Sequence, residues 1–238
     1  MVRIGETDST NRWLRELAGE HSEENIAVVA DYQTDGHGCG SNSWESERGQ
    51  NLLFSLLIHP TWLKASEQFL LSMAISNAIA SVIEQLHPTA RTSIKWPNDL
   101  YMDDRKVCGI LIECRLAGNR IRDCIIGVGL NVNQRVFLSD APNPTSLYNE
   151  LRTRLNRSVL LDDILTNFGR MLERWDTADI AASYRSRLYR REGTHRYRDS
   201  NGLFSARLTA VENDGHLTLT DSEGRERRYA FKEVAFVI

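Results

Sequence analysis

Apolar positions recur along this chain in two rhythms, and the switch between them outlines the fold. Residues 8–20 (DSTNRWLRELAGE) carry Trp13, Leu14 and Leu17 at helical spacing. Asp8 or Ser9 can cap that helix, and Gly19 can end it. Residues 26–33 (IAVVADYQ) form a β-branched run, read as a strand that leads straight into a glycine-rich loop. Residues 51–60 (NLLFSLLIHP) are apolar on both faces and predict a central strand. In residues 66–86, Phe69, Leu70, Met73, Ala80, Ile83 and Leu86 return near helical spacing, with Pro88 just beyond. Strand texture follows: RTSIKW into Pro97, DLYM, a turn at Asp103 and Asp104, RKVCGILIECRL, the turn AGN, then RIRDCIIGVGLNVN. Consecutive runs joined by short turns predict an antiparallel meander. Helical patterns resume at 145–155, 162–175 and 178–189. After about Arg191 the strands shorten and are separated by Asn-Gly, Asp-Gly and Glu-Gly turns, a spacing that suits a small β-barrel. The prediction is an α+β protein: a mainly antiparallel sheet flanked by helices over residues 1–188, then a small β-barrel over 189–238.

Composition narrows the partners. Hydrophobic residues at 41% and charged residues at 26% belong to an ordinary globular chain. A net charge of -3 provides no general attraction to nucleic acid or anionic membranes. No apolar run reads as a bilayer span, and MVRIGETDSTN lacks the apolar core of a signal peptide, so a cytoplasmic location is expected. Cys39, Cys108, Cys114 and Cys124 form no C-x-x-C pair. They read as free thiols without zinc-ligand spacing.

Four stretches could carry chemistry. In QTDGHGCGSNSW (33–44), small residues let backbone N–H groups converge on an anion or a flat ligand; a surface turn is the bland alternative. No helix follows this loop, so a dinucleotide fingerprint is not expected. Trp44 can stack on a ligand ring or sit in the core. In KWPNDLY, Lys95, Asn98 and Asp99 cluster where a strand ends. A lysine beside a carboxylate suits a phosphate or a metal-bridged phosphate, or else forms a surface ion pair. Lys106 enters an otherwise apolar strand three residues before Gly109, where its amine needs water or an anion. GVGLNVN repeats this logic with Gly127, Gly129 and Asn131. Together on one sheet, these features would make a single pocket.

The motifs DSTN, Q-T-x-G-x-G, W-x-S-x-x-G-x-N-L, KWPNDLY, DRK-x-x-GIL-x-E, G-x-GLN-V-N and APNPTSL occur in this order. Their order and spacing resemble those of biotin protein ligases, over nearly the whole chain. The resemblance implies a catalytic domain of the class II aminoacyl-tRNA synthetase/biotin synthetase type followed by an SH3-like barrel. It implies that biotin and Mg-ATP give biotinyl-5′-AMP, which a lysine of a biotin carboxyl carrier protein then attacks. Carried over position by position, Lys106 would hold the biotin carboxylate and the reacting phosphate, with Asp99 near magnesium or the incoming amine and Lys95 beside them. Ser9, Thr10, Gln33, Gly36, His37, Cys39 and Gly109 would line the biotin side, with the ring and chain along 109–112. Gly38, Asn42, Trp44, Asn98 and Asn131 would take the adenylate, with Glu113 behind. Monomer and homodimer are both compatible with the family. The seven residues before Asp8 lead to the expectation of no direct DNA binding. Two alternatives are a ligase for lipoate or another acyl group, whose R-R-x-x-G-G-G-x-V signature is absent, and a non-catalytic biotin sensor.

The loop departs from the family pattern. His37, Cys39 and Asn42 stand where arginines are usual, and Ser41 where a glycine is usual. A lost charge-assisted bond, worth roughly 1.5–3 kcal/mol, implies a looser hold on the adenylate and its release toward nearby lysines.

Overall fold

The computed structural model describes residues 1–18, 24–40, 42–88 and 92–238; Gly19, Ser41 and Arg91 lie outside that set. Seven strands build the main sheet: β1 (Val2–Ile4), β2 (Ile26–Ala30), β3 (Leu52–Ile58), β4 (Thr92–Lys95), β5 (Asp99–Met102), β6 (Arg105–Ala117) and β7 (Arg120–Leu130). They are ordered β1-β2-β3-β7-β6-β5-β4. The pair β1–β2 is parallel and every other pair is antiparallel. The meander β4 to β7 stands as expected, and all seven residues of β3 are buried.

The two faces of the sheet are covered differently. Val29, Phe54, Leu56, Ile126 and Val128 belong to the large core beneath α2 (Phe69–Leu86), α4 (Arg157–Arg174) and α5 (Thr177–Ser186). The alternating neighbours Val28, Leu57 and Ile125 pack against α1 (Thr10–Leu17) through Leu14, with Trp13 and Leu17 at its edge. Strand periodicity thus sends one set to each layer. Because α1 covers only part of its face, the remainder is open to a ligand.

Several expectations are adjusted. Ser9 stands at the N-cap of α1, yet neither it nor Asp8 makes a side-chain cap bond; instead the Asp8 carboxylate accepts from the Ser9 N–H at 2.5 Å. β2 stops at Ala30, and α2 is preceded by a 3₁₀ turn, Ala65–Glu67. The 145–155 pattern shrinks to α3 (Leu147–Leu151). α4 begins five residues earlier than predicted because Asn156 caps it, accepting from the N–H groups of Ser158 and Val159. β1 was not anticipated. The window 65–86 is, contrary to expectation, long and apolar enough to cross a bilayer, but 72% of it is buried inside this fold. Length and hydropathy cannot separate a membrane span from the central helix of a layered core.

The C-terminal strands are β8 (His195–Asp199), β9 (Gly202–Val211), β10 (Leu217–Asp221), β11 (Glu226–Tyr229) and β12 (Ala235–Phe236). They form an antiparallel sheet ordered β11-β10-β9-β8-β12. The predicted barrel is therefore a five-stranded sheet without a closing β11–β12 ladder. Gly202, Gly215 and Gly224 take positive φ in the three anticipated turns. The sheet is anchored to the main body: Trp96 Nε1 donates to the Gly215 carbonyl at 2.9 Å, Arg185 Nε to Val211 at 3.0 Å and Arg190 to Val237 at 2.9 Å.

Candidate active site

The open part of the α1 face holds a cavity of about 330 Å³, within the range of small-molecule sites. Its floor is set by register. Gly109 of β6 faces Gly129 of β7 and Asp99 of β5, and Gly127 faces Ser55 of β3. A Cβ on Gly129 would overlap the Trp44 indole, and one on Gly109 would lie 3.0 Å from it. Trp44 thus rests flat on a side-chain-free strip of sheet.

A bulge aims the cation. Leu100 pairs with Cys108 but Tyr101 pairs with Lys106, so β6 carries one extra residue there and its alternation breaks. Lys106 emerges on the same face as Gly109, its Nζ 3.3 Å from where a Gly109 Cβ would stand. The segment containing Asn143 and Thr145 clamps the Lys106 backbone: Lys106 N–H donates to Asn143 and Thr145 N–H to Lys106, both at 2.8 Å. Lys106 Nζ lies 2.7 Å from Asp99 Oδ1 and 5.7 Å from the Trp44 ring centroid. Lys95, opposite Asp99 in register, lies near the rings of Tyr101 and Phe236 at 5.2 and 5.4 Å. Burial lowers the pKa of the Lys95 ammonium; Asp99 opposes the shift, and Lys106 and Arg190 reinforce it.

The other end is uncharged and polar. Gln33 Oε1 accepts from Thr10 N–H at 2.8 Å and from Thr10 Oγ1 at 2.9 Å. The Ser55 hydroxyl lies 2.7 Å from Thr10 Oγ1 and 2.6 Å from Asn11 Oδ1, and Asn11 Nδ2 donates to Glu113 at 2.9 Å. The glycine loop is a hairpin folded on itself: Gly38 N–H donates to Asn42 at 2.7 Å and Trp44 N–H to Gly36 at 2.8 Å. A Cβ on Gly36 would meet the Trp44 carbonyl at 2.8 Å. Gly36 therefore serves the hairpin's own closure. The resulting pocket has a neutral polar end, a flat apolar floor and a cationic end, suited to a long ligand with an uncharged polar head and an anionic tail.

The family model for biotin/lipoate A/B protein ligases matches residues 5–131. The chain belongs to this ligase family. Among its relatives, the bifunctional ligase/repressor BirA of Bacillus subtilis (strain 168) is 32% identical over 231 residues, covering 93% of this chain and 70% of the relative. The biotin–[acetyl-CoA-carboxylase] ligase of Paracoccus denitrificans is 28% identical over 240 residues, covering 94% and 95%. In fold, the chain resembles the biotin protein ligase from Aquifex aeolicus in complex with biotin and ATP, with a TM-score of 0.79, 24% identity, and 98% and 97% coverage.

In this biotin/lipoate-type ligase, Ser9, Thr10, Gln33, His37, Gly38, Cys39, Asn42, Trp44, Lys95, Asn98, Asp99, Lys106 and Gly109 all line the one cavity. Gly36 and Asn131 do not. Asn131 is buried, its Nδ2 donating to Thr145 at 2.9 Å while its Oδ1 has no partner. The Asn98 amide is engaged with the Ile110 carbonyl, holding the KWPNDLY turn to β6. Residues the sequence did not single out also line the cavity: Asn11, Trp96, and Phe231, Lys232, Val234, Ala235 and Phe236 from the C-terminal sheet. Asn11 sits inside the DSTN motif and could have been suspected. The C-terminal contributors carry no local pattern; only the docking of the two sheets brings them in.

Proposed function

We infer that this ligase attaches biotin to a lysine of a biotin carboxyl carrier protein, using ATP and a biotinyl-5′-AMP intermediate. The observation that carries the reading is Lys106, whose amine lies over Gly109 at the cationic end of the pocket, across the glycine floor from the neutral end; the biotin ligases among the relatives support it. The ureido head of biotin fits the Ser9, Thr10 and Gln33 end, and its carboxylate reaches Lys106. A carboxylate and a triphosphate repel each other, so a cation held at their junction lowers the barrier to attack on the α-phosphorus. Pyrophosphate leaves and a mixed anhydride remains. The carrier amine then attacks the acyl carbon, AMP departs, and Asp99 is placed to take the proton the amine loses. Asp99 is a single carboxylate already paired with Lys106, and no three-residue acidic, histidine or cysteine cluster occurs among the described residues. Magnesium enters with the nucleotide substrate, and Asp99 is the side chain that would meet it there. Residues 1–188 are read as the catalytic part and 189–238 as an accessory that closes the nucleotide side, in a cytoplasmic enzyme.

The test is ATP–pyrophosphate exchange with biotin, lipoate or octanoate. Biotin alone should support it, and Lys106→Ala should lower the rate at least about 1000-fold. Exchange with lipoate instead would move the enzyme to the other branch of its family. No exchange with any acid would leave a binding protein.

A further inference from the structure

The cavity is poorly supplied with free positive charge. Loop positions 33–44 contain no lysine or arginine. Lys106 is paired with Asp99 at 2.7 Å, and Lys95 is partly buried against two rings. The remaining lysine on the cavity wall is Lys232, carried by the turn between β11 and β12. It is exposed, its Nζ lies 5.7 Å from the ring centroid of its neighbour Phe231, and among the described residues it forms no ion pair with a carboxylate. It reaches across to the tip of the glycine hairpin: a Cβ on Gly40 would lie 2.7 Å from Lys232 Nζ. Gly40 itself has φ +73°, which favours glycine, and its missing side chain leaves room for the ammonium at the hairpin tip. Lys232 also has φ +71°, a left-handed conformation that favours glycine. A lysine is thus held, in a backbone conformation that disfavours it, where its amine overhangs the cavity mouth.

We propose that Lys232 is a nucleotide-phosphate-binding residue, an ammonium supplied by the C-terminal sheet in place of the charge that the glycine-rich loop lacks. This rests on the ATP-dependent reading of the same pocket. A polyanion entering beside Lys106 meets a charge already neutralised by Asp99, so a second cation, one not tied to a carboxylate, is needed to hold the phosphates. Lys232 stands on the loop side of the mouth, opposite the strand that carries Lys106. The loose hold expected from His37, Cys39 and Asn42 is then offset by a charge that arrives from more than 180 residues along the chain.

The experiment compares wild type with Lys232→Met, Lys232→Gly and Lys232→Arg. Calorimetric titration with Mg-ATP is read beside biotin-dependent pyrophosphate exchange at varied ATP. Met and Gly should weaken Mg-ATP binding and raise the KM for ATP by roughly 10- to 100-fold, because a charge-assisted contact is lost. The KM for biotin should move by less than about threefold, since biotin's head lies at the other end. Arg should stay within about threefold of wild type. The Gly variant should melt no lower than wild type because glycine suits this φ, so a loss of affinity there is not a loss of fold. Unchanged ATP affinity in both Met and Gly variants overturns the proposal. If wild type binds Mg-ATP, loses it on Lys232→Met, yet shows no biotin-dependent exchange, the proposal stands and the functional reading fails. If wild type does not bind Mg-ATP, both fall.

Discussion

At the scale of single residues, the site is shaped as much by missing side chains as by those present. Gly127 makes the point. A Cβ there would overlap Asn11, which is buried and tied both to Ser55 and to Glu113. Gly127→Ala should force Asn11 off its partners and disturb Thr10, which shares the Ser55 hydroxyl. The expected outcome is a destabilisation of about 1–3 kcal/mol in urea titration, together with a KM for biotin raised roughly tenfold or more. The KM for ATP should change much less, and equal effects on the two substrates would count against placing biotin's head at this end. Lys106 and the glycines were legible in the sequence because a lysine in an apolar strand and glycines at alternate positions break the local pattern; Lys232 was not. What each glycine does was not legible: Gly129 clears room for Trp44, whereas Gly36 clears room for the loop's own carbonyl. That difference depends on which backbone lies opposite, a non-local fact.

At the scale of elements, periodicity was informative and termini were not. β3 announced its central place because no residue in it is polar on either face apart from Ser55, and Ser55 turns out to serve the site. The start of α4 was missed because Arg157 and Ser158 look like loop until Asn156 is seen accepting from the Ser158 and Val159 N–H groups at the cap. The bulge that aims Lys106 left no mark of its own, since its extra residue, Val107, is apolar and wholly buried like Cys108 after it. α2 carries the largest share of the core: Met73, Ala74, Ile75, Ala78, Ile79 and Ala80 are all inaccessible to solvent. Its apolar girdle reads as a membrane candidate on composition, and burial against the sheet, α4 and α5 explains it without a membrane. Ile79→Ala should leave a cavity between these layers and cost about 2–5 kcal/mol, measured as a shift of the urea midpoint at unchanged slope. A loss below about 1 kcal/mol would mean α2 is not the packed centre described here.

At the scale of the whole molecule, two sheets share one pocket, so the stability of the smaller sheet bears on the chemistry of the larger. Asp221 is its main electrostatic anchor, accepting from the N–H groups of Glu223 and Arg225 at 3.0 Å and from the Arg225 and Arg227 guanidinium groups at 3.0–3.1 Å. Burial pushes this carboxyl's pKa up, but those donors outweigh it and bring the value down to about 2. Asp199 adds a second such centre: the Tyr229 hydroxyl donates to it at 2.8 Å, which lowers its pKa below the usual carboxylate value despite desolvation. A carboxyl whose pKa is depressed on folding stabilises the fold at every pH above its unfolded value, about 3.9. That contribution is lost as pH falls through its folded value. Thermal melts of wild type and Asp221→Asn, taken from pH 6 down to pH 2, should therefore differ by a constant amount above pH 4 and converge between about pH 4 and pH 2. The same variant at neutral pH should bind Mg-ATP more weakly than wild type, because the β11–β12 turn that bears Lys232 follows directly from the strand anchored by Asp221 and Asp199. A melting difference that persists unchanged to pH 2 would show that the ion cluster does not hold the sheet, and the link from its charge to the nucleotide side of the pocket would break with it.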